Sequence, residues 1–250
     1  MSGRELFDGF VIAWVLIAAA TFVYLLFVAA PYGRHGRAGW GPLIHARLGW
    51  VLMECPTVLV FAGVFLASTR LSEGAAGTDI VSLVFLGMWL GHYLYRSFVF
   101  PFLMKDPGRM PILILGSGIF FNVINAGINS RYLFVYAPVY DVAWLLDPRF
   151  LVGAGLFVVG FLTHVHSDHV LRGLRRPGDP PKTYRVPEAG LFRLVSAPNY
   201  FGEILQWAGF ALATWSLPAL AFFLWTVASL APRALANHRF HHPFGFLVFR

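Results

Sequence analysis

Seven stretches of the chain are apolar over roughly the 20 residues that a helix needs to cross a bilayer. They run over about 7–30, 48–68, 80–103, 111–137, 148–170, 198–216 and 218–236. Polar segments carrying Arg, Pro and Gly separate them. The last two are almost fused, parted only near Ser216-Leu217-Pro218. Pro218 can open a new helix or kink a long one, so a single bent element is the rival to two spans. The apolar run Phe10–Ala30 follows acidic Glu5 and Asp8 and ends before Pro31-Tyr32-Gly33-Arg34. Its length fits a retained first span better than a signal peptide. The pattern predicts one domain over residues 1–250, all-α, a polytopic integral membrane protein with seven transmembrane helices.

Composition strengthens this reading. The chain is 58% apolar and only 12% charged, against about 25% charge in a soluble domain. Its mean hydropathy is +0.66. The net charge of +7 would suggest nucleic acid in a soluble protein. Here the cations fall in short runs between apolar stretches, which describes membrane topology, and no nucleic-acid partner is expected. Cys55 is the only cysteine, so neither an intrachain disulfide nor a cysteine-rich metal site is available.

Sidedness follows from the same cations. With seven spans, fourteen of the nineteen Lys and Arg fall on the side of the first loop, four fall opposite, and Arg96 lies within the third span. The positive-inside rule then puts the N-terminus outside and the C-terminus in the cytoplasm. The three tail arginines alone depend on the last two spans, so the count supports the first five more strongly. The longest polar segment, Leu171–Ala197, is too basic and proline-rich to span. It is either a plain loop at anionic headgroups or a site for an anionic ligand.

Ionisable and amide side chains inside apolar stretches are costly and usually face a protein interior or a wet cavity. Glu54 precedes Pro56 in the second span. It can act as a neutral acid that donates a hydrogen bond, or pair with a base such as Arg96. His92 and Arg96 share a face of the third span, and Tyr93 can approach the same side. A tyrosine hydroxyl there can donate to a carbonyl or oxyanion. Asn122, Asn125 and Asn129 form one polar stripe on the fourth span, which either glues helices or lines a cavity. Nearby Gly116, Gly118 and Gly127 permit close backbone approach.

The fifth span ends His164-Val165-His166-Ser167-Asp168-His169. This lacks a recognised metal-ligand spacing and runs into basic residues, so a hydrogen-bonded ligand site is favoured and no metal is expected. Asn199, Glu203 and Gln206 recur on one face of the sixth span. Together these residues predict a cytoplasm-facing polar cavity rimmed by arginines. It suits a large anionic cofactor and an apolar substrate from the bilayer. No Gly-x-Gly-x-x-Gly follows a strand, so a soluble-type nicotinamide fold is absent.

These residues resemble a known family, the steroid 5-alpha-reductases, that is, the membrane 3-oxo-5-alpha-steroid 4-dehydrogenases. The likeness runs from about Pro31 to Arg239. It is carried by Asn199-Tyr200-Phe201-Gly202-Glu203 continuing through Trp215-Ser216-Leu217-Pro218, and by His166-Ser167-Asp168 with Leu171-Arg172 and Arg175-Arg176-Pro177-Gly178. Tyr184-Arg185, His92-Tyr93-x-Tyr95-Arg96 and Pro111-Ile112-Leu113-Ile114-Leu115 add to it.

The resemblance implies a seven-helix enzyme, expected to be a bacterial inner-membrane member. It would use NADPH to reduce the C4=C5 bond of a 3-oxo-Δ4 steroid. It implies that Glu54 and Tyr93 hydrogen-bond the C3 carbonyl, and that Asn199 and Glu203 contact the cofactor near its nicotinamide. Asp168, His164, Arg175, Tyr184, Arg185, Arg233, Asn237 and His238 fall in the family's cofactor region. The expected partners are a steroid or other apolar enone and the lipid bilayer, and nothing demands more than a monomer.

The chain departs from the family pattern at Met53, His164, Gly116 and His241, where Gln, Asn, Arg and Tyr are usual. A related membrane enone or sterol reductase, or a membrane methyltransferase, is the nearest alternative. Methyl transfer leaves Glu54 and Tyr93 without a task. A transporter or lipid-binding protein is a third class.

Overall fold

The first helix, α1 (Gly3–Phe27), starts earlier than its apolar run because Ser2 and Glu5 form a capping box. The Glu5 amide donates to the Ser2 hydroxyl at 3.2 Å, and the Ser2 amide donates to the Glu5 carboxylate at 2.8 Å. This satisfies two amides that a bare helix start leaves open. The computed structural model describes residues 2–28, 39–71, 80–105, 107–175, 178–179 and 185–241. Tyr184 lies outside them, as do Arg34, Arg37, Arg176, Lys182 and the tail from residue 242.

After α1 come β1 (Leu43–His45), α2 (Ala46–Leu71) and α3 (Ile80–Leu94). A π turn, Tyr95–Val99, leads from α3 into α4 (Phe100–Leu103). Then follow β2 (Arg109–Pro111), α5 (Ile112–Arg131) with a π turn at Tyr132–Tyr136, α6 (Pro148–Gly173), α7 (Pro198–Thr214) and α8 (Leu217–His241). Among the described residues, counting α3 and α4 as one, there are seven long helical segments. Five are long and apolar enough to cross a membrane: Gly3–Phe27, Ala46–Ser68, Ile112–Tyr136, Pro148–Gly173 and Leu217–Arg239. The α3–α4 segment is interrupted by its π turn, and α7 has 17 residues.

The fold is all-α, as the sequence leads one to expect, with one short ribbon between helices. β1 and β2 pair antiparallel, with Ile44 opposite Met110. Strands of three residues are too short to show alternation in sequence. The Ala46 amide bonds the Gly108 carbonyl (3.1 Å) and the Ile112 amide bonds the Pro42 carbonyl (2.9 Å), so the ribbon ties together the starts of α2 and α5.

The break near Pro218 is a true helix–helix turn, and its cause lies upstream of the proline. Tyr140 Oη donates to the Thr214 carbonyl (2.8 Å) and Trp144 Nε1 to the Ala213 carbonyl (2.9 Å). Two end carbonyls of α7 are thus satisfied from outside the helix. Trp215 then turns left-handed at φ 47°. Ser216 Oγ accepts the Ala219 amide at 3.3 Å and caps α8, leaving Pro218 harmlessly in the first turn. Trp207 and Phe222, about equally far from the turn, meet at 4.5 Å between ring centroids, so α7 and α8 form a hairpin.

An aromatic core sits between the helices. Phe61 stacks on Trp89 at 4.4 Å, and Trp89 also meets Trp207 and Phe222, both at 5.3 Å. Helices α6 and α7 pack almost backbone to backbone through Gly153, Gly160, Gly202 and Gly209. A Cβ on Gly160 would lie 2.4 Å from the Gln206 nitrogen, and one on Gly209 would lie 2.4 Å from the Phe157 nitrogen. By contrast, Gly116 and Gly127 face open space, and only Gly118 of the α5 glycines is tight, against Met53.

Candidate functional site

The described residues form a half-open cavity of about 340 Å3 lined by α2, α3 with its π turn, α5, α7 and α8. This lies within the size range of small-molecule sites. Trp50, Met53, Phe121 and Phe222 give it apolar walls; Glu54, His92, Tyr93, Arg96, Asn122 and Glu203, with the hydroxyls of Ser117, Thr226 and Ser229, are its polar and charged lining. Glu54 and Tyr93, separated by a loop in sequence, therefore face one space.

Glu54 is held from two sides. Asn122 Nδ2 donates to its Oε2 at 3.1 Å and to the Met53 carbonyl at 2.7 Å. Arg96 Nε lies 3.9 Å from Oε1, an ion-pair distance beyond a hydrogen bond. The Arg96 guanidinium sits over the Trp50 ring (4.7 Å) and the Phe100 ring (4.9 Å), which fixes the cation by two aromatic faces. Arg96 belongs to the π turn. Pro101 has no amide to offer the Ser97 carbonyl, and the helix widens just before it, with the Phe100 amide bonding the Tyr95 carbonyl. In α2, the Thr57 hydroxyl donates to the Glu54 carbonyl beside Pro56.

The asparagine stripe divides its work. Asn122 faces the cavity, whereas Asn125 Oδ1 accepts from Trp14 Nε1 of α1 at 3.2 Å, and Asn129 bonds back to the Asn125 carbonyl at 2.9 Å. Tyr93 is buried within the aromatic core, its ring 5.1 Å from Trp89 and 5.7 Å from Trp207. His92 shares its Nδ1 with Gln206 Oε1 at 3.0 Å.

A second polar cluster lies across the glycine seam between α6 and α7. His164 Nδ1 is 3.3 Å from the Asn199 carbonyl and 3.7 Å from Glu203 Oε2. Asn199 Nδ2 donates to Asp168 Oδ1 at 3.3 Å, and His164 Nε2 is 3.6 Å from Asp168 Oδ2. Glu203 also lines the cavity, so the two clusters meet at this residue. Buried His164 Nε2, Ser167 Oγ, Asp168 Oδ2 and Arg172 Nη1 have no hydrogen-bond partner among the described residues. Residues 164, 167, 168 and 172 fall on one helical face. Buried polar atoms normally find partners, so this mixed row of donors and acceptors fits a large polar ligand. Among the described residues no three His, Cys, Asp or Glu side chains gather as a metal site.

The remaining candidates are scattered. Arg185 Nη2 donates to Asp179 Oδ1 at 2.7 Å and Nη1 to the Leu174 carbonyl at 2.7 Å, which closes the loop after α6. The Asp179 hydrogen bond holds the Arg185 guanidinium above its ordinary pKa. Its donors are directed to the protein itself. Lys105 Nζ lies 3.4 Å from the Arg175 carbonyl, so a second cation approaches Arg175 at the end of α6. Arg233 and Asn237 lie on α8 beyond the cavity residues Ser229 and Leu230, and His238 Nδ1 is 2.7 Å from Ser196 Oγ.

The aromatic clamp on Arg96 and the glycine seam go beyond the sequence expectations. The seam does have a sequence signal, since Gly153 and Gly160, and Gly202 and Gly209, are each seven residues apart.

The family described as 3-oxo-5-alpha-steroid 4-dehydrogenase matches residues 108–244. The chain is 38% identical to 3-oxo-5-alpha-steroid 4-dehydrogenase 1 of Bos taurus, over 97% of this chain and 92% of the relative. It is 39% identical to 3-oxo-5-alpha-steroid 4-dehydrogenase 2 of Homo sapiens, over 91% and 89%. It is 37% identical to a steroid 5-alpha-reductase of Gossypium hirsutum, over 94% and 90%. These relatives are animal and plant proteins, and they lend no support to a bacterial source.

Proposed function

The chain belongs to the 3-oxo-5-alpha-steroid 4-dehydrogenase family, and from that premise we propose that it reduces the C4=C5 double bond of a 3-oxo-Δ4 steroid with NADPH. The observation that carries this reading is that Glu54 and Tyr93 line one cavity with otherwise largely apolar walls. A carbonyl oxygen of an apolar substrate can meet both side chains there.

NADPH, when bound, would supply a hydride for C5. Hydride addition there would build electron density on the C3 oxygen, and a proton drawn from solvent would complete the reduction at C4. Tyr93 and the neutral form of Glu54 donate hydrogen bonds to that oxygen. Donors fixed before the reaction stabilise the developing charge without reorganising. Asn122 orients the Glu54 carboxyl by its bond to Oε2, and the clamped Arg96 adds positive charge nearby. Trp50, Met53, Phe121 and Phe222 surround that oxygen's side of the cavity with apolar surface.

The residues that would hold NADPH are His164, Asp168, Asn199 and Glu203 across the α6–α7 seam, with Arg175 toward its phosphates. The row of unpartnered atoms at residues 164–172 supports that assignment. In this reading the cofactor side faces the cytoplasm, with the N-terminus outside, as the cation bias favours.

The direct test is mass analysis of the product formed by purified protein from NADPH and a 3-oxo-Δ4 steroid. A gain of two hydrogens is expected. Absence of that gain while NADPH binds would overturn the reading.

Arg175→Gln is expected to weaken NADPH binding more than NADH binding, because an arginine recognises phosphate by charge-assisted hydrogen bonds. Titration of both cofactors checks this. Equal weakening of the two would deny Arg175 a phosphate-specific role.

A further inference from the structure

The cavity has a direction. On α2 it is lined by Trp50, Met53 and Glu54, and on α5 its lining runs from Asn122 back through Phe121, Gly118 and Ser117 to Ile114. Glu54 and Asn122, which share a hydrogen bond at 3.1 Å, are thus the last cavity residues of their helices. The ribbon ties together the starts of α2 and α5, and its Met110 also lines the cavity. Both linings therefore leave the Glu54–Asn122 bond toward the same side. A substrate whose carbonyl meets Glu54 extends from it past Met53 and Gly118.

The wall at that point is one side chain laid over a missing one. A Cβ on Gly118 would fall 2.4 Å from Met53 Sδ and 2.5 Å from Met53 Cγ, so the thioether fills the space that a larger residue at 118 would need. Met53 also packs against the buried cluster of Ala46, Met110 and Leu115. A thioether pushed off Gly118 meets filled space there and open space in the cavity, and methionine has the rotatable bonds to turn into it. Gly118 precedes Asn122 by one turn, about 6 Å along α5. That is the reach from an enone oxygen across its own ring. In a 3-oxo-Δ4 steroid the carbon opposite C3 in that ring is C10, which carries the angular methyl.

We infer that Met53, seated on Gly118, is the specificity-determining wall beside the enone ring, and that it packs against the C10 methyl of the substrate. This inference rests on the reductase reading above. A thioether has no strong donor or acceptor to satisfy, so it can follow the outline of an apolar ring junction.

The test uses two 3-oxo-Δ4 steroids alike except for the presence or absence of the C10 methyl, with kcat/KM measured for each on purified protein. The wild-type protein is expected to favour the methyl-bearing steroid by about fourfold, the scale of one buried methyl group. Gly118→Ala, which turns the thioether into the cavity, should lower the ratio of methyl-bearing to methyl-free substrate by about tenfold. Met53→Ala removes the contact and should bring the ratio close to one. In the Met53→Ala background, Gly118→Ala should move the ratio by less than about twofold, because no thioether remains to displace. A wild-type ratio near one, a ratio unchanged by Gly118→Ala, or equal changes in the two backgrounds overturns the wall while the reductase reading stands. Failure of the wild-type protein to reduce either steroid overturns both. If Gly118→Ala does not fold, as judged by NADPH titration, Met53→Ala decides: a ratio near one supports the wall, and the wild-type ratio overturns it.

Discussion

Tyr93→Phe is expected to lower kcat by about 10²-fold, the usual consequence of removing one oxyanion donor, while NADPH affinity stays within about twofold. The substitution deletes one oxygen and keeps the ring against Trp89 and Trp207, so the aromatic core should hold. The loss should appear in kcat and kcat/KM together, as for an interaction made mainly in the transition state. Wild-type turnover would remove Tyr93 from the mechanism. Glu54→Gln is the companion test. The amide keeps an N–H donor but cannot ionise. If neutral Glu54 is the working form, the wild-type rate should fall on the alkaline side and that limb should vanish in the variant. An identical alkaline limb in both proteins would assign the titration to another group. Steady-state kinetics across pH, alongside a cofactor-binding titration, separates the two residues.

Much of this geometry could be read from polar residues in apolar stretches. Glu54, Tyr93, Arg96 and Glu203 stand out because an ionisable or hydroxyl group in a span has few bland explanations, and all four line one cavity. Element boundaries near caps were harder to read. Ser2 extends α1 outward, and Tyr140 and Trp144 stop α7 through bonds that span about 70 residues of sequence. No local pattern near Pro218 encodes those bonds. The arginines of the loop after α6 were also ambiguous, because charge counting cannot tell a ligand contact from a loop clasp. Arg185 serves as a clasp to Asp179. The glycines of α5 stand beside the asparagine stripe, yet the closely packed pairs lie on α6 and α7. Small size alone does not say which glycine has a neighbour, whereas a seven-residue spacing repeated on two adjacent helices does.

Gly160→Ala is expected to be among the most disruptive single-methyl changes in the chain. The new Cβ would lie 2.4 Å from the Gln206 nitrogen and 2.6 Å from the Gly202 carbonyl oxygen. Both are backbone atoms in the middle of α7, so no rotamer change can relieve the clash and the helices must separate. Overpacking of this kind costs about 1–3 kcal/mol, occasionally more. The functional cost should exceed the loss of stability. His164 to Asn199 (3.3 Å) and Asn199 to Asp168 (3.3 Å) bridge the same seam one turn or two away, and neither contact has length to spare. Cofactor binding should therefore weaken even where the variant still folds. Gly155→Ala is the matched control. It lies on the same helix with nothing within 4 Å of its added Cβ, and alanine is the better helix former. Thermal unfolding in detergent and NADPH titration of the two variants give the comparison. Equal stability of Gly160→Ala and Gly155→Ala would show that α6 and α7 do not depend on backbone-close packing, and the seam would lose its role in holding Asp168 and Asn199 together.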